Sequence, residues 1–585
     1  MNVTTPIDPA AAAANEAISK IRDCIDLGKS FCLEAGAGSG KTHSLVSALT
    51  HIVEKRGREL VRKHQQVACI SYTNAASKII CARTDEHPAV FASTIHSFCW
   101  SLIKDYQPYL RAELSNAPNW TERLTTIGGI GNRNVEYNLG HPVANKEEAC
   151  VSLGHGDVLK LATKLLGNSK FRRLLASKHP IIFIDEYQDT DIDFIEAIKT
   201  HILEKFSGPV FGFFGDPWQR IYGRSCGAFD SSKIVSIQQG ANFRSRPQIV
   251  ETLNRIRPSL PQSVRPHEER GSVSAYHTND WAGERQTGAQ WKGDLPSNIA
   301  RDHIRAMRSN LEAQGWDFSP KRTKILMLTH NVLAQEQGYS GIAQVFKGRN
   351  DDYASKEDDH IKFLVEVIEP ACRAYEKKQY GDMFSALEST MPTVRSPSDK
   401  QSWTKDMDML IALRTTATIG AVLDHIAATK RPPLPDILEE KERELKNTQI
   451  TDDEATSWMT RLRALRQVPY REIVALANFL DASTLYSTKH GVKGDEFENV
   501  LVVVGRGWNL YDFNELLELS SSPNSINPKR ADAYERNRNL LYVALSRAKV
   551  RLAVLFTQKL SNQATETLSS WFGGENVYSL KLQGA

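Results

Sequence analysis

At 585 residues the chain is too long to fold around one hydrophobic core, so several domains are expected. Its 41% hydrophobic and 24% charged residues are those of a globular protein and exclude a wholly disordered chain. Lys and Arg (73) exceed Asp and Glu (69) by only four, so any basic surface for nucleic acid must be local.

The N-terminal segment MNVTTPIDPAAAAANEA carries no basic residues ahead of an apolar stretch, so no signal peptide is expected. No apolar run has the length of a membrane span. The eight cysteines (Cys24, Cys32, Cys69, Cys81, Cys99, Cys150, Cys226 and Cys372) are scattered, with no CxxC pair. They read as small buried residues of a cytoplasmic protein, not as a disulfide or zinc framework.

Short apolar runs alternate with helical patterns in two separated blocks. The first holds FCLEAGAG (31–38), VACISYT (67–73), PIIFIDE (180–186) and GPVFGFFGD (208–216). The second holds KILMLTHN (324–331), NVLVVVG (499–505) and RLAVLF (551–556). Runs of this length that leave into polar or Gly residues suit strands of parallel sheets buried on both faces, so two α/β lobes are expected. Residues 104–170 carry Gly-rich turns and weak periodicity before a helical VLKLATKLLGN, and 258–300 look loop-rich. Residues 346–479 are strongly charged and mostly helical in pattern, an insertion that interrupts the second lobe.

The strongest local signal is AGAGSGKT (35–42), between an apolar strand and a helical SLVSALTHIVEK. Gly36, Gly38 and Gly40 let backbone N–H groups turn inward around phosphates at a helix N-terminus. Lys41 is placed to meet the β- and γ-phosphates and Thr42 to ligate Mg²⁺, with Ala35 at the first position of the usual pattern. A phosphate loop alone does not separate a kinase, a GTPase, a motor or a switch. In IIFIDEYQDTD (181–191) a buried strand delivers Asp185 and Glu186 to the sheet edge where ligands gather. Asp185 is expected to hold Mg²⁺, directly or through water, and Glu186 to polarise the attacking water. In FFGDPWQRIYG (213–223) Gln219 follows within reach of the same edge, where a Gln orients water or senses a γ-phosphate. Trp218 and Tyr222 are either core aromatics or stacking faces for unpaired bases.

In RNLLYVALSRAKVR (538–551) the helical periodicity puts Leu540, Val543, Ala544 and Arg547 on one stripe. A buried Arg needs a partner, and a γ-phosphate would make Arg547 an arginine finger; a snorkelling Arg is the alternative. Arg244, just before a helix opened by Pro247, is the second such candidate, with Phe243 beside it as a possible base-stacking residue.

In order along the chain these segments resemble the superfamily 1 DNA helicases of the UvrD/Rep/PcrA group. The resemblance rests on AGAGSGKT, SYTNAAS (71–77), STIHSFC (93–99), IDEYQDT (184–190), GDPWQRIY (215–222), NFRS (242–245), STKHGVKGDEFENV (487–500) and LLYVALSRAK (540–549). It implies two RecA-like P-loop lobes with parallel sheets and mostly helical accessory insertions. The first lobe would comprise 1–103 and 171–230, a reduced accessory domain 104–170, the second lobe 231–345 and 480–585, and the helical insertion 346–479. It further implies ATP and Mg²⁺ as cofactors, with residues Ala35, Gly36, Ala37, Gly38, Ser39, Gly40, Lys41 and Thr42 around the phosphates. Asp185 would hold the metal with Thr42, Glu186 and Gln219 would act in hydrolysis, and Arg244 and Arg547 would reach the γ-phosphate. Phe243 would stack on adenine and Glu496 would hold the ribose. Single-stranded or tailed duplex DNA would touch Tyr72, Thr73, Thr94, His96, Tyr222 and His490, and translocation would run 3′→5′.

The sequence also departs from that pattern. The family's adenine-reading Gln near the N-terminus is missing, the first glutamine being Gln65; Arg224 stands where a stacking aromatic is common, and Asp495 replaces a usual Leu. The first accessory region is short, and only 36 residues follow Lys549, too few for a nuclease domain. A shortened motor of this kind resembles the helicase-like subunits of bacterial phage-defence systems of the Gabija type, which act beside a separate nuclease. The expectation is therefore an ATP-dependent DNA translocase in phage defence or DNA repair, with a partner nuclease subunit as one possibility and no membrane association. The alternative is a nucleic-acid-sensing ATPase that regulates such a partner with little unwinding of its own.

Overall fold

The computed structural model describes residues 8–71, 73–137, 143–144, 149–205, 208–220, 225–229, 231–266, 269–288, 291–328, 337–346, 352–353, 356–387, 396–447, 457–481, 485–487, 495–506 and 511–582. The chain forms two compact units, 1–273 with 524–550 and 274–523 with 551–585.

The first unit is built on a six-stranded parallel sheet in the order 90–94, 67–71, 181–185, 210–215, 31–35, 235–239. Its central strands are apolar runs buried on both faces, as a parallel sheet between helices requires. Gly212 sits where a Cβ would come 2.6 Å from the Phe31 ring and 2.7 Å from that of Phe183. Its missing side chain makes room for an edge-on cluster of Phe31, Phe183 and Phe214. The edge strands Val90–Thr94 and Val235–Gln239 were not expected, because neither is an apolar run. An edge strand is wetted along one side and keeps polar residues: the first is half-buried throughout and the second buries only Ile237 and Gln239. The strand Val235–Gln239 also lies past the boundary expected at 230 yet pairs in parallel with Phe31–Ala35.

The helix Pro9–Asp26 opens at Asp8, whose carboxylate accepts from the N–H groups of Ala10 and Ala11. It buries Ala10, Ala14, Ala17, Ile18, Ile21, Cys24 and Ile25, a helical stripe that packs on Lys41–Arg62 and Val235–Gln239. Residues 104–170, expected as a reduced accessory domain, hold the helices Gln107–Ser115, Pro118–Thr126 and His155–Leu166 around a small sheet. In that sheet Asn134–Tyr137 runs parallel, and Val143–Ala144 antiparallel, to Cys150–Leu153. Strands of two to four residues are too short to leave an alternation in the sequence. Trp120, Leu110, Val151 and Leu161 extend the core formed by Ile70, Phe98 and Ile182 under the main sheet.

The second unit carries a six-stranded sheet in the order 486–487, 323–327, 497–504, 548–556, 272–277, 577–579. The pairs 323–327 with 497–504, 323–327 with 486–487, and 272–277 with 577–579 are parallel. The expected insertion is helical: Asp359–Phe363 continues through a π turn into Glu369–Glu376. Pro397–Thr416, Ile419–Thr429, Asp436–Asn447, Ser457–Gln467 and Arg471–Leu480 follow. One core runs from Ile325, Leu501 and Leu555 of the sheet to Trp403, Leu410 and Leu476 of the helices. The two lobes thus have the α/β P-loop class expected, with parallel sheets and helical insertions. The strand Ser272–His277 was missed inside a stretch read as loop, because SVSAYH mixes polar and apolar residues.

The helix expected across 538–551 ends at Leu545, and Ala548–Phe556 is a strand. Its C-terminal half is buried all round, not along one stripe, so periodicity carried no boundary information there. All eight cysteines are free, and among the described residues no helix is long and apolar enough to cross a membrane.

Candidate nucleotide site and nucleic-acid residues

Ala35 is the last residue of its strand, in register with Gln239, so extended backbone tolerates its Cβ at the pattern's first position. The loop then turns through Gly38 (φ +71°) and Gly40 (φ +80°), conformations open to glycine. Its carbonyls are pinned from one side. Ala37 O accepts from Asn242 Nδ2 (3.1 Å) and Gln262 Nε2 (2.9 Å), Gly38 O from the Phe243 N–H (2.8 Å), and Ser39 O from Gln239 Nε2 (2.5 Å). Gln239 is in turn held by the Ser44 hydroxyl at 2.8 Å. Within each trans peptide the N–H points away from its carbonyl, so these bonds aim the N–H groups of Gly38 and Gly40 to the opposite side, while the Ser39 N–H donates to Gly36 O at 3.1 Å. That is the polarity a phosphate cradle needs. Gln239, Asn242 and Gln262 were not singled out from the sequence as loop supports; only their contacts reveal them.

Lys41 opens the helix Lys41–Arg62, with Thr42 half-buried beside it. Its Nζ lies 2.6 Å from Glu186 Oε1 and 3.8 Å from Asp185 Oδ1. Burial works against the ammonium, but Glu186, Asp185 and Asp216 outweigh it and hold the pKa above its ordinary value. Asp185 ends its strand, and its Oδ1 accepts the Glu186 N–H at 3.0 Å. Glu186 adopts φ +51°, a left-handed conformation unusual for a residue with a side chain and common at functional sites. Gln188 Nε2 donates to Glu186 Oε2 at 2.5 Å, and Gln188 Oε1 accepts the Asp216 N–H at 3.1 Å, joining the two strand ends.

Gln219 donates from Nε2 to Asp216 Oδ2 at 2.8 Å and accepts at Oε1 from Arg547 Nη2 at 3.3 Å. Arg547, 1% exposed, also donates from Nε to Val543 O at 3.1 Å. Arg244 donates from Nη1 to Ser546 O at 2.8 Å. Arg244 and Arg547 both belong to the unit that carries the phosphate loop. Phe243 lies against Gly40 with the Arg265 guanidinium 4.7 Å above its ring. Trp218, half-buried, has the Arg257 and Arg538 guanidiniums over its ring and Tyr542 at an edge-on angle to it. Gln65 donates to Ser177 O at the N-terminal end of its strand, away from the loop.

Among the residues expected on nucleic acid, Thr73 and Thr94 cap the helices Asn74–Arg83 and Ile95–Ile103, accepting from Ala76 N and Ser97 N. His96 follows Thr94 and stacks tilted on His155 of the accessory region at 4.6 Å. Burial, and then His155, pull the His96 pKa down to about 4, so the ring is neutral near pH 7. Glu496 is exposed just ahead of the strand Phe497–Val504 in the second unit. Tyr72, Tyr222, Arg224 and His490 lie outside the described residues.

A phosphate loop, an acidic strand end and a Gly-Asp loop meeting at one parallel-sheet edge define a P-loop ATPase, and a family model for the AAA domain matches residues 22–225. The chain is a UvrD/Rep-like, helicase-type ATPase. Along nearly its whole length it is similar to the Gabija protein GajB of Bacillus cereus (strain HuB5-5), 22% identical over 95% of this chain and 97% of that one. A Gabija protein GajB of Bacillus cereus (strain VD045) is 28% identical over 33% of this chain and 38% of its own. The ATP-dependent DNA helicase Rep of Escherichia coli (strain K12) is 24% identical over 38% of this chain and 40% of its own.

Proposed function

We propose that the chain is an ATP-driven 3′→5′ translocase on single-stranded DNA that unwinds tailed duplexes. The observation that carries this reading is the continuous polar network at one sheet edge: Lys41 on Glu186, then Gln188 linking Glu186 to Asp216, then Gln219 and Arg547. Residues Ala35 to Thr42 would cradle the phosphates of ATP, with Lys41 leaving Glu186 for the β- and γ-phosphates. Glu186 would then take the proton of the attacking water, and Gln219, Arg244 and Arg547 would face the γ-phosphate. Phe243 would offer its ring to the base, and Glu496 its carboxylate to the ribose. Thr73, Thr94 and His96, with Tyr72, Tyr222 and His490, would line the DNA track.

Among the described residues no cluster of three or more His, Cys, Asp or Glu could hold a metal. The Thr42 hydroxyl and the Asp185 carboxylate are hard oxygen donors, the set that suits Mg²⁺ when phosphates complete its shell. Mg²⁺ bound there would neutralise charge developing on the phosphates. The likeness to a Gabija protein along 95% of the chain supports reading the role as one in phage defence beside a partner nuclease, with DNA repair the alternative.

The test is strand displacement on 3′-tailed and 5′-tailed duplexes with wild type and Lys41→Ala. Unwinding of the 3′-tailed duplex alone, lost with DNA-stimulated hydrolysis in Lys41→Ala, is the expected result; hydrolysis undiminished in Lys41→Ala overturns it. The same likeness favours a second reading, an ATPase that senses nucleic acid and controls a nuclease. DNA-stimulated hydrolysis without displacement, together with nuclease activity that follows nucleotide, would select it.

A further inference from the structure

Arg257 caps the helix Pro247–Ile256 at its C-terminus and lies outside every segment that pointed to the site. It is 1% exposed, and its guanidinium bonds two carboxylates at the ends of adjacent strands. Nη2 donates to Glu34 Oε1 at 2.5 Å, one residue before Ala35, and Nη1 donates to Asp216 Oδ1 at 2.8 Å. Asp216 is wholly buried. A carboxylate so placed needs an opposite charge; without Arg257 its hydrogen bonds come from neutral donors, the Trp218 N–H at 3.0 Å and the Gln219 amide at 2.8 Å.

The other oxygen of Asp216 accepts from Gln219 Nε2. A carboxylate only accepts, so it fixes the orientation of the Gln219 amide: NH₂ inward, carbonyl outward to Arg547 Nη2. A second cation holds the same loop. Arg538, on the helix that leads to Arg547, lies 4.0 Å over the Trp218 ring on which Arg257 also packs, and Asn539 donates to Pro217 O at 3.1 Å.

We propose that Arg257 is a positioning residue for ATP hydrolysis. It keeps Asp216 in place as a buried acceptor, and Asp216 in turn presents the Gln219 carbonyl to Arg547. This rests on the reading of Gln219 and Arg547 as γ-phosphate residues. With Arg257 removed, residues 216–220 shift towards water and the amide is free to turn, which slows chemistry more than it weakens binding.

A double-mutant cycle in DNA-stimulated ATP hydrolysis tests the role. R257M is expected to lower kcat by about 10- to 100-fold with KM for ATP within about threefold, and R257K to recover part of the loss. In a Q219A background R257M is expected to change kcat by less than about threefold, because its effect passes through Gln219. Equal losses from R257M with and without Gln219 overturn the proposal, as does a change confined to KM. Melting curves show whether each variant folds. If R257M does not, the same cycle is run with R257K, whose ammonium keeps the buried charge but cannot bridge both carboxylates as the guanidinium fork does. Lys41→Ala separates the two levels. Hydrolysis undiminished in it defeats the ATPase reading and this proposal together, whereas a dead Lys41→Ala beside an additive cycle defeats the role of Arg257 alone.

Discussion

Lys41 Nζ and Glu186 Oε1 lie 2.6 Å apart, so the phosphate-loop cation is already paired with the carboxylate proposed as the base. Nucleotide must break that pair before Lys41 can meet phosphate. Glu186→Gln removes the competing charge, so ATP is expected to bind several-fold more tightly while hydrolysis falls at least about 100-fold. Titration with a fluorescent ATP analogue and phosphate release measure the two effects; weaker binding by the Gln variant would contradict the competition.

The phosphate loop is sensitive to side-chain volume at Gly38. An Ala Cβ there would stand 2.7 Å from Arg244 Cβ and 2.9 Å from Asn242 Oδ1, whereas at Gly131 it meets nothing within 4 Å. Both glycines have positive φ, so both substitutions carry a backbone cost of about 1 kcal/mol. Only Gly38→Ala is expected to weaken nucleotide binding, by about tenfold or more, with Gly131→Ala unchanged in the same titration.

Acid should destabilise the first unit through His179, a buried ring between Phe91 and Phe98 whose pKa burial pulls from 6.5 to about 4. The unfolded chain takes up this proton near pH 6.5 and the folded chain only near pH 4, so stability is full above pH 6.5 and falls as pH drops towards 4. His96 acts with the same sign. Melting temperatures recorded from pH 7 to 4.5 are expected to decline, and His179→Leu to decline less steeply. An unchanged slope in that variant would rule out His179 as a cause.

In the helical insertion Arg414 donates from Nε and Nη2 to the two oxygens of Glu369 at 2.9 and 2.7 Å, and Glu369 is fully buried. Arg414→Met leaves that carboxylate unpaired and is expected to cost about 3–5 kcal/mol, whereas Arg414→Met with Glu369→Leu recovers most of it. Urea denaturation of the single and double variants supplies the comparison.

The nucleotide motifs were legible because each is a short segment with its own chemistry. An apolar run delivers a loop to the sheet edge, and glycines at Gly38 and Gly40 permit the turn that places Lys41 at a helix start. Edge strands were not legible, since Val235–Gln239 carries the exposed polar residues of a wetted edge. Arg547 was correctly read as buried, but its neighbours were not deducible: Gln219 is 328 residues away along the chain.

The sequence by itself determined the class of the protein, the order of its motifs and the side chains at the phosphate loop and acidic strand end. These depend on local backbone freedom and on apolar runs long enough to be buried. Tertiary structure alone decided how those parts are held. Strand order brings Asp216, at the end of Val210–Gly215, and Glu34, on the neighbouring strand, onto one guanidinium, and tertiary packing brings Gln262, 225 residues distant, onto the Ala37 carbonyl. A charge such as Arg257 acquires its meaning only there, because burial and the two carboxylates that make it tolerable are properties of the packed sheet edge and not of any segment of chain.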